Sequence, residues 1–188
     1  SFKKRKHIKK KKITYIGSFY NGRGIELILN LAENNKNLEF NLFGLRNEKI
    51  KFKKLKNLKI HKFVEYNLVP TIISKSDILL MPYSKYTSIN AKGINTAEYC
   101  SPLKMFDYLA GGKIILSSKL SGICEVLKNN ENSIIVSKHS FYEWNKKLNF
   151  ILKSKELQKK IINGAKLTSK KFTWDKRAST YVKNYLNN

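Results

Sequence analysis

Two short stretches hold the residues whose types and spacing could do chemistry. The first runs Ser101-Pro102-Leu103-Lys104-Met105-Phe106-Asp107-Tyr108-Leu109-Ala110-Gly111-Gly112. Ser101 is a good helix cap, and Pro102 suits the first helical position, where no amide hydrogen is needed. Leu103, Phe106 and Ala110 recur at three and four and predict the apolar face. Gly111 and Gly112 permit the left-handed turn that ends the helix. A helix start offers amides and the positive end of a dipole, which suits a phosphate. Asp107, a little over one turn in, is suited to ribose hydroxyls. The second stretch is Gly17 to Gly24, a loop with three glycines and one arginine. Glycine lets main chain approach a ligand closely, and the planar fork of Arg23 can hold a diphosphate with two parallel bonds. The spacing is neither Gly-x-Gly-x-x-Gly nor a P-loop, so a dinucleotide fingerprint and a Walker site are excluded.

The elements that must position these residues alternate between two periods. Ile13–Ile16 reads as a first strand, and Ile25, Leu27, Ile28, Leu31 and Ala32 give a helix after the glycine loop. Leu38–Phe43 forms a second strand that stops at Gly44. Leu58–Val64 forms a third, nearer an edge, with His61 on its polar side as a surface residue without a role. A short helix entered at Pro70 leads to an unbroken apolar strand at 77–82, as a parallel sheet requires. The loop from Tyr83 to Cys100 is long and polar and lies where a doubly wound sheet binds ligands. Lys113–Ser117 and Ser133–Val136 are further strands, joined by a turn at Gly122–Leu127. Amphipathic helices follow at 141–152, 156–172 and 174–186. On the last of these, Trp174, Ala178, Tyr181, Val182 and Tyr185 share one stripe suited to core or domain contact. The fold class is α/β: a Rossmann-like doubly wound parallel sheet of about six strands with C-terminal helices.

Composition narrows the classes. The 188 residues suffice for one domain with a real core, and no apolar run approaches a membrane span. Cys100 and Cys124 lack metal spacing and read as free thiols of a reducing, cytoplasmic compartment. The formal net charge is +25. Its lysines are scattered apart from the block before Ile13, and arginine, the usual base reader, is scarce, so specific nucleic-acid binding is not expected. The charge leaves room for peripheral contact with an anionic membrane surface.

Taken together, Ser-Pro-Leu-Lys-Met-Phe-Asp-Tyr-Leu-Ala-Gly-Gly, the strand Ile114-Ile115-Leu116-Ser117 and the segment Gly122-Ile123-Cys124-Glu125-Val126-Leu127 resemble the nucleotide-sugar half of glycosyltransferase family 4. The glycine loop and the closing Trp174-Asp175-Lys176-Arg177-Ala178 extend the resemblance over nearly the whole chain. It implies one Rossmann-like half of a GT-B enzyme that retains configuration, uses a UDP- or GDP-sugar as substrate, and needs no cofactor or metal. Residues 1–12 become a basic linker or arm, 13–172 the donor domain, and 173–188 a helix crossing to an N-terminal acceptor domain that is missing here or supplied by a partner chain. Arg23 matches the family's basic residue in the glycine loop, whereas Ser18 stands where a second basic residue is often found; either phosphate affinity is lower or another residue, such as Lys104, compensates. Gly17, Ser18, Gly22, Arg23 and Gly24, with Ser101, Pro102, Leu103 and Lys104, are the implied diphosphate cradle. Backbone at Phe63 and Val64 is the implied base site, and Asp107 takes the family's ribose position. The family's other Glu, eight residues earlier, is absent: Tyr99 stands there, and Glu98, one residue off, is the nearest candidate for the donor sugar. Arg23, Lys104 and Glu98 are thus the expected catalytic groups.

Two other classes fit less of the sequence. A non-enzymatic basic domain binding nucleic acid or anionic membrane would explain the charge but not the glycine loop. A flavodoxin-type receiver needs an acidic cluster after the first strand, where Gly17 and Ser18 stand.

Overall fold

In the computed structural model the described residues are 10–46, 52–86, 95 and 102–186. They form strands β1 (Lys12–Ile16), β2 (Glu39–Leu45), β3 (Leu58–Lys62), β4 (Ile78–Met81), β5 (Ile114–Ser118) and β6 (Ile134–Val136). The helices are α1 (Ile25–Asn34), α2 (Val69–Ser74), α3 (Leu103–Ala110), α4 (Ser121–Cys124), α5 (Phe141–Lys153), α6 (Lys155–Ser169) and α7 (Trp174–Leu186). A 3-10 turn, Tyr66–Leu68, precedes α2. The strands are all parallel in the order β3-β2-β1-β4-β5-β6. The order reverses between β1 and β4, the place where a doubly wound sheet opens a crevice at its carboxyl ends.

Alternation along the strands builds two cores. On β4, Ile78 and Leu80 join one cluster with Leu27, Ile28 and Leu31 of α1 and Trp144, Leu148 and Ile151 of α5. Leu79 and Met81 point the other way, to Met105, Tyr108 and Leu109 of α3 and Ile73 of α2. A strand buried on both faces must be apolar throughout, as Ile-Leu-Leu-Met is.

Several sequence expectations shift. Helix α3 begins at Leu103 with Pro102 as its cap, at φ −70° and ψ 121°, so Pro102 is not the first helical residue. Ser101 lies outside the described residues. The buried face of α3 is Met105, Tyr108 and Leu109, while Leu103 is 69 % exposed, so the face expected at Leu103, Phe106 and Ala110 is wrong. Both sets repeat at three and four. The winning set includes Tyr108, whose hydroxyl accepts the Ile16 amide of β1 at 3.0 Å and so enters the core with a partner. Gly112 alone turns left-handed, at φ 57°; Gly111 is right-handed and packs so closely on Ile73 that a Cβ would fall 2.2 Å from its Cγ2. Strand β2 does not stop at Gly44 but runs through it, with a register shift against β3. The stripe on α7 is not core: Trp174, Tyr181, Val182 and Tyr185 are all exposed, because no other element of the described chain lies against them in numbers.

Candidate functional site

The site forms where β1, β2, β3 and β4 end together. After Ile16 the chain turns at Gly17, whose amide donates to the Phe43 carbonyl of β2 at 2.9 Å. Gly17 (φ 150°) and Gly44 (φ 130°) meet so closely that a Cβ on Gly44 would sit 2.1 Å from the Gly17 carbonyl oxygen. The glycine loop then crosses to β4. The Gly22 carbonyl accepts the Ser84 amide at 2.9 Å. Gly24, left-handed at φ 70°, lies against Pro82, where a Cβ would be 1.9 Å from the proline carbonyl oxygen. Only glycine permits both that backbone angle and that approach.

This pinning sets Arg23 beside Tyr83. Its guanidinium lies over the Tyr83 ring, 5.0 Å from the centroid. Lys104, from the first turn of α3, reaches the same ring from the other side of the sequence, with Nζ at 5.7 Å, and lies 4.3 Å from the centroid of Tyr15. Gly17 makes room for that ammonium: a Cβ there would be 2.2 Å from Lys104 Nζ. Tyr15 is buried and donates to the Ser18 carbonyl at 2.9 Å. Burial raises the Tyr15 pKa above its ordinary value, Tyr83 adds to the rise, and the charge of Arg23 opposes it. Two cations some eighty residues apart in sequence, one from the glycine loop and one from α3, thus lie near one aromatic ring, an arrangement that favours cationic groups.

Beside this pair lies a cavity of about 200 Å³. Phe43, Phe63, Val64, Tyr66 and Val69 supply its apolar walls, Gly17 and Gly44 its floor, and Lys104 and Asp107 its charged rim. Phe63 is 55 % exposed and carries the Arg46 guanidinium 4.2 Å above its ring. Phe43 is backed by His61, stacked at 4.2 Å and 8°. His61 is therefore half-buried packing rather than the plain surface residue expected from strand alternation; burial lowers its pKa, the Lys59 charge adds to the fall, and Glu39 opposes it. Tyr66 donates to Asp107 Oδ1 at 2.7 Å.

The expected residues divide into three groups. Gly17, Phe63, Val64, Lys104 and Asp107 line one cavity, and Arg23 joins Lys104 at Tyr83. Gly22 and Gly24 line instead a wider groove of about 830 Å³ on the other side of the loop, with Tyr20, Ser84 and His139. Ser18 enters through its carbonyl, Pro102 is buried as the α3 cap, and Leu103 points to solvent. Glu98 and Ser101 lie outside the described residues. Sequence reasoning missed Tyr15 and Tyr83 as the aromatic floor, Gly44 and Tyr66. Tyr83 had a signal, being the second residue beyond the β4 apolar run, and so had Gly44, since a glycine inside a strand pattern marks a bulge or a close approach. Tyr66 had none.

The sequence matches the model of one family, described as glycosyl transferases group 1, over residues 1–168. A comparison with curated proteins finds no significant match. Among solved structures, HepE from Anabaena in complex with UDP-glucose superposes with a TM-score of 0.76 at 14 % identity, covering 95 % of this chain and 49 % of that one. Sucrose-phosphate synthase from Thermosynechococcus elongatus gives 0.76 at 12 % identity over 95 % of this chain and 46 % of its own. The C-terminal domain of a glycosyl transferase group 1 family protein (LpcC) from Francisella tularensis gives 0.67 at 18 % identity, covering 87 % of both chains. The chain thus spans about half the length of HepE and of the synthase. The structural likeness carries the Rossmann-like fold; the match over residues 1–168 carries the family, and the chain belongs to the glycosyl transferases of group 1, a GT-B type.

Proposed function

We infer that this chain is the donor-binding half of a retaining glycosyltransferase of family 4, which takes a sugar from a nucleoside diphosphate sugar such as a UDP- or GDP-sugar. The observation that carries this reading is the convergence of Arg23 and Lys104 on Tyr83, beside a cavity rimmed by Asp107. Phe63 and Val64 bound a slot for the base, Asp107 accepts from the ribose, and Arg23, Lys104 and the first amides of α3 hold the diphosphate. Gly17, Gly22 and Gly24 let the loop backbone come near. Glu98 keeps its role at the donor sugar as a proposal on a residue outside the described ones.

The chemistry follows from charge. As the bond from the anomeric carbon to the diphosphate oxygen breaks, its electron pair passes to the diphosphate, whose negative charge grows. Cations fixed beforehand stabilise that charge, and loss of one such donor costs about 10²–10³ in rate. Fixed cationic side chains can do at the diphosphate what a metal ion does elsewhere.

The acceptor half comes from another domain or chain, in keeping with the partial coverage of HepE. The exposed aromatic stripe of α7, with Trp174 75 % exposed, is the surface proposed to cross to it. A cytoplasmic setting, a place in cell-envelope or surface glycan synthesis and contact with an anionic membrane face complete the reading, the last supported by the net charge of +25. No helix of the described residues is long and apolar enough to cross a membrane.

A thermal-shift panel of UDP-, GDP- and ADP-sugars tests the reading. One nucleotide class is expected to raise the melting temperature in a saturable way. No shift with any of them, together with salt-steep nucleic-acid retention that nucleotides do not compete, would favour the basic-domain reading.

A further inference from the structure

The geometry points to Tyr66 as the residue that positions Asp107, and so as a determinant of ribose recognition that couples the base slot to the ribose carboxylate. The inference rests on the donor-site reading above and adds to it a residue that neither the glycine loop nor the α3 segment supplies.

Asp107 is the one carboxylate at the rim of the described cavity, half-buried on α3 one turn after Lys104. Left alone, a helix aspartate would turn between solvent and the nearby ammonium. The Tyr66 hydroxyl donates to its Oδ1 at 2.7 Å, from a 3-10 turn forty-one residues away in sequence. An ionised carboxylate has room for about four donors. One bond from Tyr66 restrains the carboxylate at Oδ1 and leaves Oδ2 and the rest of Oδ1 for two neighbouring hydroxyls. The bond with Asp107 raises the Tyr66 pKa, and the carboxylate charge adds to the rise, so the phenol stays a donor across the neutral range.

The position of Tyr66 adds a second consequence. It follows Phe63 and Val64 with only Glu65 between, and its ring forms part of the same cavity wall. Tyr66 thus belongs both to the wall of the base slot and to the clamp on Asp107. Tyr66 is 73 % exposed, so its hydrogen bond is worth little to folding. The value of the contact is orientation of the carboxylate.

Calorimetry with UDP and with 2′,3′-dideoxyuridine 5′-diphosphate separates the outcomes. The unmodified chain should prefer UDP by at least about tenfold, the scale of a lost charge-assisted bond. Tyr66→Phe should shrink that preference at least about threefold, leave dideoxy-UDP affinity within about twofold, and leave the melting temperature unchanged; Asp107→Asn should remove the preference. Equal losses for both nucleotides in Tyr66→Phe, or an unchanged preference, would overturn the role of Tyr66 while the donor site stands. Failure of the unmodified chain to bind any nucleoside diphosphate would remove the donor site, and the inference with it.

Discussion

The two edges of the sheet are built on opposite plans. At the edge where the strands begin, polar side chains close the backbone. Asn57 Nδ2 donates to the carbonyls of Ala32 and Asn35 at 2.9 and 3.0 Å, and Asn35 donates to Leu31 and Asn145. Ser76 bridges Ile72 to Thr14, and Asp77 accepts from the Lys12 amide and the Lys11 ammonium, each at 2.8 Å. At the edge where the strands end, glycines bring backbones together, and Arg23 and Lys104 lie on aromatic rings. Short polar side chains that finish hydrogen bonds hold the first edge; the second gathers cations on aromatic rings and a carboxylate at a cavity. On the donor-site proposal, stability and binding are therefore separable in this chain by edge.

That separation can be broken by three substitutions, from the largest effect down. Asn57→Ala takes the side-chain donor from the buried Ala32 carbonyl, a loss that costs about 1–3 kcal/mol, while the Asn35 carbonyl keeps the Leu38 amide at 3.0 Å. The urea midpoint should fall accordingly, while the fraction still folded binds nucleotide unchanged. Gly24→Ala places a side chain at φ 70° against Pro82. A left-handed alanine costs roughly 1–2 kcal/mol, and shifting Arg23 off Tyr83 should also weaken UDP at least about tenfold. A loss of stability with intact binding would mean that the loop does not set Arg23. Asp77→Asn is the mildest. Burial raises the Asp77 pKa, but the Lys11 hydrogen bond, the Lys12 amide and the charges of Lys11 and Lys113 outweigh it, and the pKa is lowered. Its contribution is thus present above the ordinary carboxylate range of about pH 4 and is lost as pH falls through the lowered value. The side chain is 33 % exposed, so the contribution is at most about 1 kcal/mol. Urea midpoints from neutral to acid pH should show a shallower acid loss in the variant; identical acid limbs would contradict the role of Asp77.

The same contrast explains what could be read from the sequence. The six strands and the glycine loop and α3 segment that carry Arg23, Lys104 and Asp107 follow from apolar runs, glycines and helix signals, which are local; the order of the strands across the sheet does not. The face of α3 was not legible, because Leu103-Phe106-Ala110 and Met105-Tyr108-Leu109 have the same period, and the choice depends on Tyr108 meeting the Ile16 amide across the fold. The strand through Gly44 was misread because a glycine stops an isolated strand but serves a parallel one where another backbone must come near. Tyr66 was invisible for the same reason as Asn57: each acts on a partner more than twenty residues away.

The central claim is that Arg23 and Lys104 serve one diphosphate. Calorimetry of UDP and of uridine on the unmodified chain, Arg23→Ala, Lys104→Ala and the double variant addresses it most directly. Each single change should weaken UDP at least about tenfold, the double change should deviate from the sum of the two, and uridine should be unaffected. Unchanged UDP affinity in both single variants, or equal losses for UDP and uridine, would contradict it.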